Sequence, residues 1–260
     1  MNSMQYKALF LDVDGTLVPY EYNALPSQKV AEAVQQAQKH VAVCLVTGRS
    51  YAFVKHILQT LQINTGYAVV NTGALIIDLA NESIVREQYI EQSDVSEIFR
   101  VLSEEAVKLY VKDTPFDPTH YPKFYDTSNL PEKAYMIFTD EEYPEEKIDL
   151  ILQKLSHLSN LNVHKTVHKD PSKFGINVTH LNATKLHGVQ FLLERLKLNR
   201  EEVIGVGDSY NDFPLLMASG LKVAMGNAIQ ELKDIADYVA PPVTQDGVAD
   251  VIEKYILSHT

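Results

Sequence analysis

Residues 8–17 read Ala-Leu-Phe-Leu-Asp-Val-Asp-Gly-Thr-Leu, an apolar run that stops at two carboxylates spaced two residues apart. Side chains two apart on a strand project to the same face and lie roughly 6 to 7 Å from each other. Two acids at the rim of a buried strand repel each other, so Asp12 and Asp14 require a metal ion, a shared proton or a cationic substrate. Asp14-Gly15 is also a common turn signal, and a simple strand-ending turn remains the alternative for this motif on its own.

The composition is typical of a globular chain. It has 260 residues, of which 45% are hydrophobic and 22% charged, and this length suits one large domain or two smaller ones. No segment reaches the roughly 18 consecutive apolar residues of a membrane span, and residues 1–7 lack the apolar stretch of a signal peptide. Cys44 is the only cysteine and lies within an apolar run, which is typical of a small buried core residue. We therefore expect a cytoplasmic protein with no membrane partner.

The charge of the chain limits the partners that it can bind. The net charge is −11 at pH 7 and no basic stripe is visible, whereas nucleic acid phosphates need clustered Lys and Arg. We therefore expect no nucleic acid partner. If a phosphorylated metabolite binds, a local metal ion and a few cationic side chains must attract it, because the overall field of the protein repels anions.

Residues 1–79 and 183–260 share one sequence pattern, in which short apolar runs alternate with amphipathic stretches. Strands that alternate with helices predict an α/β fold with a mostly parallel, Rossmann-like sheet covered on both faces. The first helix is well signalled, since Pro26-Ser27 supplies a cap and a single apolar stripe follows it. The residues of this stripe are Val30, Ala33, Val34 and Ala37.

Polar residues follow the apolar runs at five places. In open parallel sheets, ligands bind outside the carboxyl ends of the strands, so we expect these five segments to meet at one site. They are Asp12–Gly15, Thr47–Arg49, Asn71–Gly73, Gly207-Asp208 and Gly226-Asn227.

The sequence pattern changes between residues 80 and 182, where Tyr and Pro become frequent. Two strand-like runs, Ala134–Phe138 and Phe174–Thr179, lie there among two helical stretches. This mixture predicts an α+β insert rather than a continuation of the parallel sheet. We therefore expect a catalytic core formed by residues 1–79 and 183–260, and an inserted domain formed by residues 80–182.

Four short motifs follow one another in the predicted core. They are Leu11–Leu17, Val46–Arg49, Lys185 at the start of a helix, and Gly205–Asp212. Their order resembles that of the haloacid dehalogenase superfamily of phosphotransferases, and the likeness is closest to its Cof-type, subfamily IIB sugar-phosphate phosphatases. The resemblance covers the whole predicted core. It implies a haloacid dehalogenase-like fold whose insert is a C2-type cap, a lid that closes on the substrate.

The resemblance implies a role for each acidic residue. Asp12 is the expected nucleophile, which attacks phosphorus and forms an aspartyl-phosphate. Asp14 is the expected general acid and base, which protonates the leaving alkoxide and then deprotonates the attacking water. A Mg²⁺ ion would be held by Asp12, the backbone carbonyl of Asp14 and Asp208, because Mg²⁺ prefers oxygen ligands. Asp212 would orient metal-bound water, a role compatible with that of a carboxylate at a helix N-terminus.

The residues implied to bind the substrate phosphate are Thr47, Gly48, Lys185 and Asn211. Glycine admits a close approach of backbone N–H groups to phosphoryl oxygens, and the lysine would neutralise charge on the phosphoryl group and on the nucleophile. Two alternatives stay open. Asn211 can instead cap the following helix, and Arg49 can be either a second cation for the phosphate or a member of an ion pair.

Two departures from the family pattern affect contacts near the substrate. Two residues separate Lys185 from Gly188, where the family commonly has Gly directly after the lysine. Asn71-Thr72-Gly73 stands where relatives often have Asn-Gly. Neither departure touches the acids, and whether Asn71 contacts substrate stays open.

Together these features predict a Mg²⁺-dependent phosphomonoester hydrolase that acts on a small phosphorylated metabolite through an aspartyl-phosphate. Sugar phosphates are the leading candidates, and pyridoxal phosphate and flavin mononucleotide are the competitors. The alternatives are a phosphomutase, which would return the phosphoryl group to its substrate, and a non-enzymatic regulatory module that binds a phosphorylated metabolite. Such a module is expected to lose Asp12, Asp14 or Lys185, and all three are present. A monomer and a homodimer are equally compatible with the sequence.

Overall fold

The computed structural model describes residues 6–21, 23–112, 130–139, 141, 143–167 and 172–259. The chain divides into two compact units, which we name the core unit (residues 1–86 and 184–260) and the insert unit (residues 87–183). The division predicted after residue 79 falls before Ser83–Glu87, a strand of the core sheet.

The described residues contain fifteen strands and eight α-helices. The strands are β1 (Ala8–Leu11), β2 (Ala42–Val46), β3 (Tyr67–Val70), β4 (Leu75–Asp78), β5 (Ser83–Glu87), β6 (Ile90–Glu91), β7 (Tyr110–Lys112), β8 (Lys133–Ala134), β9 (Met136–Phe138), β10 (Tyr143–Pro144), β11 (Leu161–Val167), β12 (Lys173–His180), β13 (Val203–Gly207), β14 (Leu221–Ala224) and β15 (Tyr238–Val239). The helices are α1 (Gln28–Ala37), α2 (Tyr51–Thr60), α3 (Gln92–Glu104), α4 (Glu145–Leu155), α5 (Lys185–Leu196), α6 (Phe213–Met217), α7 (Gln230–Asp234) and α8 (Gly247–Tyr255). Strands and α-helices alternate from β1 to β3 and from α5 to α8.

A sheet of eight strands, counted over the described residues, forms the centre of the core unit. Its strand order is β15-β14-β13-β1-β2-β3-β4-β5. The strands from β15 to β3 run parallel to their neighbours, and β4 runs antiparallel to β3. The mostly parallel, Rossmann-like α/β core predicted from the sequence is therefore confirmed.

Strand β1 lies in the middle of this sheet, between β13 and β2. Leu11, its last residue, is level with Val206 on one side and with Leu45 on the other. All four residues of β1 are fully buried, as expected for a parallel strand that is covered on both faces. The carboxyl ends of β13, β1 and β2 therefore meet at one edge of the sheet, and the residues that follow these strands are neighbours in space.

Helix α1 begins and packs as its sequence predicts. The backbone N–H of Val30 donates to the Ser27 side chain at 3.1 Å, so Ser27 caps the helix. The predicted apolar stripe is buried. Capping and a single apolar stripe together explain why these residues form a helix on the face of the sheet.

The insert unit is built on an antiparallel sheet. Strand β12 pairs with β9, β10 and β11, and β7 pairs with β9. Buried side chains of α3 and α4, among them Ile98, Leu102, Ile148 and Ile151, form one apolar cluster with Val178 of the sheet. This arrangement confirms the predicted α+β insert. Across the part of the chain that is described, we find no helix long and apolar enough to cross a membrane.

Gly73 provides a stability test of the core unit. It has a φ of +111°, and a Cβ at this position would lie 2.3 Å from the carbonyl oxygen of Thr184. Gly66 also has a positive φ, +87°, but the nearest atom to its Cβ would be 3.7 Å away. We expect Gly66→Ala to lower the free energy of unfolding by about 1–2 kcal/mol through backbone strain alone. Gly73→Ala should cost about 1–3 kcal/mol more, because its methyl group also collides with backbone.

The two alanine variants can be compared with the parent protein by urea unfolding followed by circular dichroism. Equal losses at positions 66 and 73 would contradict the proposed close packing of Gly73 against Thr184.

Candidate active site

Three acidic side chains meet at the carboxyl edge of the core sheet. Asp12 directly follows β1, and its backbone N–H donates to the carbonyl of Val206 at 3.0 Å. Asp208 directly follows β13, and Asp212 lies one short turn further along the chain. One carboxylate oxygen from each of the three lies within 4.8 Å of the others. All three acids are buried.

Lys185 joins two of these acids. Its Nζ atom donates to Asp12 Oδ1 at 2.6 Å and to Asp212 Oδ1 at 2.5 Å. The lysine side chain is only 1% exposed, although it is the first residue of α5. The helix start, capped by Thr184, therefore carries the ammonium group into the acid cluster rather than to the surface.

The pKa values of this cluster reflect burial and crowded charge. Burial and then the neighbouring Asp212 carboxylate raise the pKa of Asp12, against the effect of Lys185. Burial alone would lower the pKa of Lys185, but the two carboxylates that it contacts raise it. Burial raises the pKa of Asp208 to about 6. Three carboxylates around one ammonium leave an excess of negative charge, and an all-oxygen set of this kind suits a hard divalent cation such as Mg²⁺.

Asp212 also shapes the loop that carries Asp208. Its Oδ2 atom accepts the backbone N–H groups of Asp208 and Ser209, each at 3.0 Å. The turn is thus closed by the Asp212 carboxylate, so that Asn211, which is exposed beside it, is not needed as its cap. One carboxylate therefore holds the lysine through one oxygen and the loop through the other.

The side chain of Asp14 points to a different partner. Arg49 Nε donates to Asp14 Oδ2 at 2.9 Å, and Arg49 Nη2 donates to Asp14 Oδ1 at 2.5 Å. This bidentate pair is partly sheltered, since the Arg49 side chain is 11% exposed and that of Asp14 is 35% exposed. The structure thus places Arg49 in an ion pair, and the carboxylate of Asp14 lies outside the group of three acids.

Thr47 and Gly48 form a loop after β2 that is tied to the loop after β3. Thr47 is fully buried, and its carbonyl accepts the N–H of Thr72 at 3.0 Å, while Asn71 N–H donates to the Arg49 carbonyl at 2.8 Å. A Cβ on Gly48 would have its nearest neighbour at 3.6 Å, so space is left for a ligand to approach the backbone here. Asn71 is fully buried and presents no surface to a ligand in this conformation.

Three residues to which the sequence analysis assigned no role hold Asp208 and its surroundings. Tyr20 Oη donates to Asp208 Oδ2 at 2.5 Å, and Thr16 Oγ1 donates to Asp208 Oδ1 at 3.4 Å. Asn227 Nδ2 donates to the carbonyl of Gly15 at 2.8 Å. Thr16 belongs to the motif Leu11–Leu17 and Asn227 to the polar segment Gly226-Asn227, whereas no local signal marks Tyr20. Desolvation of the phenol group where it meets Asp208, together with the hydrogen bond to that carboxylate, raises the pKa of Tyr20, which therefore acts as a neutral donor.

Comparisons with known proteins agree with this geometry. Residues 9–252 match the sequence profile of the haloacid dehalogenase-like hydrolases. The putative phosphatase YkrA of Bacillus subtilis is 27% identical, with 96% of this chain and 98% of that protein covered. Phosphoglycolate phosphatase 1 of Saccharolobus solfataricus is also 27% identical, with 96% of each chain covered.

Solved structures share the fold. A haloacid dehalogenase-like hydrolase from Bacteroides thetaiotaomicron superposes with a TM-score of 0.80 at 23% identity, covering 96% of this chain and 99% of its own. The subclass IIB sugar phosphatase BT4131 superposes with a TM-score of 0.73 at 22% identity, covering 95% of this chain and 98% of its own. With a profile match that spans nearly the whole sequence, the chain belongs to the haloacid dehalogenase-like hydrolases.

Proposed function

We propose that this protein is a Mg²⁺-dependent phosphomonoester hydrolase that acts on a small phosphorylated metabolite through an aspartyl-phosphate. The observation that carries the proposal is the buried contact of Lys185 with Asp12 beside Asp208 and Asp212. The phosphatase names of the relatives support the same reaction class. A binding module would have no need to bury these charges together, because the arrangement lowers stability.

Asp12 is the proposed nucleophile. Its Oδ1 atom is held by Lys185, and in the described residues no hydrogen bond occupies its Oδ2 atom. This oxygen attacks phosphorus, the bond from phosphorus to the substrate oxygen breaks, and the substrate leaves as an alcohol. Water then attacks the aspartyl-phosphate, which releases inorganic phosphate and restores the carboxylate.

Asp14 is the proposed acid and base of these two steps. It gives a proton to the departing substrate oxygen and later takes one from the attacking water. The bidentate contact with Arg49 fixes the orientation of the carboxylate. We therefore propose Arg49 as a residue that positions Asp14.

Asp12, Asp208 and the backbone carbonyl of Asp14 are the proposed protein ligands of Mg²⁺. When bound, the ion supplies positive charge to the oxygens of the transferred phosphoryl group. Asp212 holds the loop of Asp208 in place for this ion and would orient its bound water. Thr47, the Gly48 backbone, Lys185 and Asn211 are proposed to contact the phosphate.

Sugar phosphates are the proposed substrate class, with the insert unit as the part that selects among them. The fold shared with a sugar phosphatase supports this choice. A panel of phosphorylated metabolites that includes sugar phosphates, phosphoglycolate, pyridoxal phosphate and flavin mononucleotide tests it. Phosphate release should occur with Mg²⁺ and stop in EDTA, and transfer of the phosphoryl group back to the substrate would instead reveal a mutase.

Replacement of the nucleophile gives the most direct test of the mechanism. We expect Asp12→Asn to lower kcat by at least about a thousandfold, because an amide cannot form the aspartyl-phosphate. Circular dichroism should show the fold preserved. Asp234→Asn, which changes an exposed carboxylate of α7, serves as the control and should keep full activity. Turnover retained by Asp12→Asn would refute the covalent mechanism.

The raised pKa of Asp208 predicts how stability depends on pH in the metal-free protein. Its pKa is about 6 in the folded protein against an ordinary value of 3.8, so the folded state binds the proton more tightly than the unfolded chain. The stability that this binding contributes is present below about pH 4 and is lost as the pH rises through about 6. We therefore expect Asp208→Asn in EDTA to unfold with a free energy about 2–3 kcal/mol higher than the parent at pH 7.

This difference should vanish near pH 4, and urea unfolding at both pH values measures it. Mg²⁺ should stabilise the parent at pH 7 and leave Asp208→Asn unchanged. Equal stability of the two proteins at pH 7 in EDTA would show that burial does not destabilise the ionised form of Asp208.

A further inference from the structure

We infer that Tyr20 is a gate on the divalent-cation site, because its phenol competes with a cation for Asp208 Oδ2 and must release this oxygen before the cation can bind it. The inference rests on the proposed function, because it assumes that Asp208 is a cation ligand. Its starting point is the 2.5 Å hydrogen bond from Tyr20 Oη to Asp208 Oδ2. No spacing motif in the sequence marks Tyr20, and the proposed chemistry does not use it.

Tyr20 supplies the one short hydrogen bond that the Asp208 carboxylate receives from the described residues. The contacts from Thr16 to Oδ1 and from Asn227 to Oδ2 are each 3.4 Å long. No Lys or Arg among the described residues forms an ion pair with Asp208, whereas Lys185 serves the other two acids. The Asp208 carboxylate is therefore held by the neutral phenol of Tyr20, where a buried carboxylate would ordinarily have a cationic partner.

The surroundings of Asp208 Oδ2 leave little room for a second partner. A Cβ built on Gly15 would lie 2.1 Å from this oxygen, so the backbone of Gly15 forms a wall against it. Asn227 approaches the same oxygen from a second direction. A cation that binds this oxygen must therefore compete with the phenol proton for the remaining lone pair.

Little packing holds the side chain of Tyr20 in its position. As a residue it is 67% exposed, whereas Asp208 is 2% exposed. The same built Cβ on Gly15 would lie 2.6 Å from Tyr20 Cε2, so the ring edge covers the loop that borders the carboxylate. An exposed ring has little packing energy to hold it, and its position depends mainly on the bond to Asp208. When that bond is lost, the exposed ring can turn into water and leave Asp208 Oδ2 open to a cation.

The test is the Mg²⁺ affinity of Tyr20→Phe, measured by isothermal titration calorimetry at pH 7. Because the competing hydrogen bond is removed, we expect the variant to bind Mg²⁺ about three- to tenfold more tightly than the parent. Tyr238→Phe is the matched control, since Tyr238 Oη also donates to a carboxylate, that of Asp250, at 2.6 Å. It should bind Mg²⁺ with the affinity of the parent.

A spectroscopic measurement reports on the phenol itself. The chain has 14 tyrosines and no tryptophan, so the tyrosine absorption band is not masked. Addition of Mg²⁺ should change the ultraviolet difference spectrum of the parent and of Tyr238→Phe, because one phenol leaves a carboxylate. The same addition should produce no such change in Tyr20→Phe.

Asp208→Asn separates the gate from the cation site. If the parent binds Mg²⁺ and Asp208→Asn does not, the cation site stands, whatever Tyr20→Phe does. Unchanged affinity in Tyr20→Phe would then overturn the gate alone, and weaker affinity would overturn it too, because the phenol would be a ligand or a support. A parent protein that binds no Mg²⁺ would overturn both proposals.

Discussion

The buried ammonium of Lys185 is the interaction on which the rest of the site depends. It is shared between Asp12 and Asp212, and all three side chains are almost completely enclosed. Removal of one partner from a buried pair of this kind typically costs about 3–5 kcal/mol, because a charge is left without compensation. The contact joins the end of β1, the turn after β13 and the start of α5, so it holds together segments that lie far apart in sequence.

The position of Lys185 depends in turn on the packing of Thr184 and α5, where the chain re-enters the core unit. Thr184 caps α5, and Gly73 allows the loop after β3 to pack directly on the Thr184 backbone. Gly188, one turn into the helix, lies so close to β3 that a Cβ would stand 2.5 Å from Val69 Cγ1. Gly188 stands two positions after the place where the family pattern has its glycine. It still lets α5 pack closely on the sheet, and this close packing determines how deeply Lys185 is buried.

The central strands and the acids could be predicted from the sequence, whereas the edge of the sheet and the contacts between side chains could not. Strands β1 and β3 coincide with apolar runs of four residues, which are too short for a helix and have the length of a buried strand. Strand β5 is partly exposed and lacks the buried pattern, so the core was predicted to end too early, before Ser83. The Tyr20–Asp208 and Arg49–Asp14 contacts span 188 and 35 positions, and no local pattern encodes a contact at such distances.

The charge balance of the site implies an order of binding. Lys185, which the family resemblance implies for the phosphate, is already paired with carboxylates, and so is Arg49, for which a phosphate contact was an open alternative. A phosphate dianion that approaches a chain of net charge −11 is therefore repelled by Asp208, which has no ion-pair partner among the described residues. A divalent cation at Asp208 reverses the sign of the local field, and it also lowers the energy of the crowded acids. Under the proposed mechanism, we therefore expect the cation to bind before the phosphomonoester, because only then is the approach of the substrate to Asp12 electrostatically favourable.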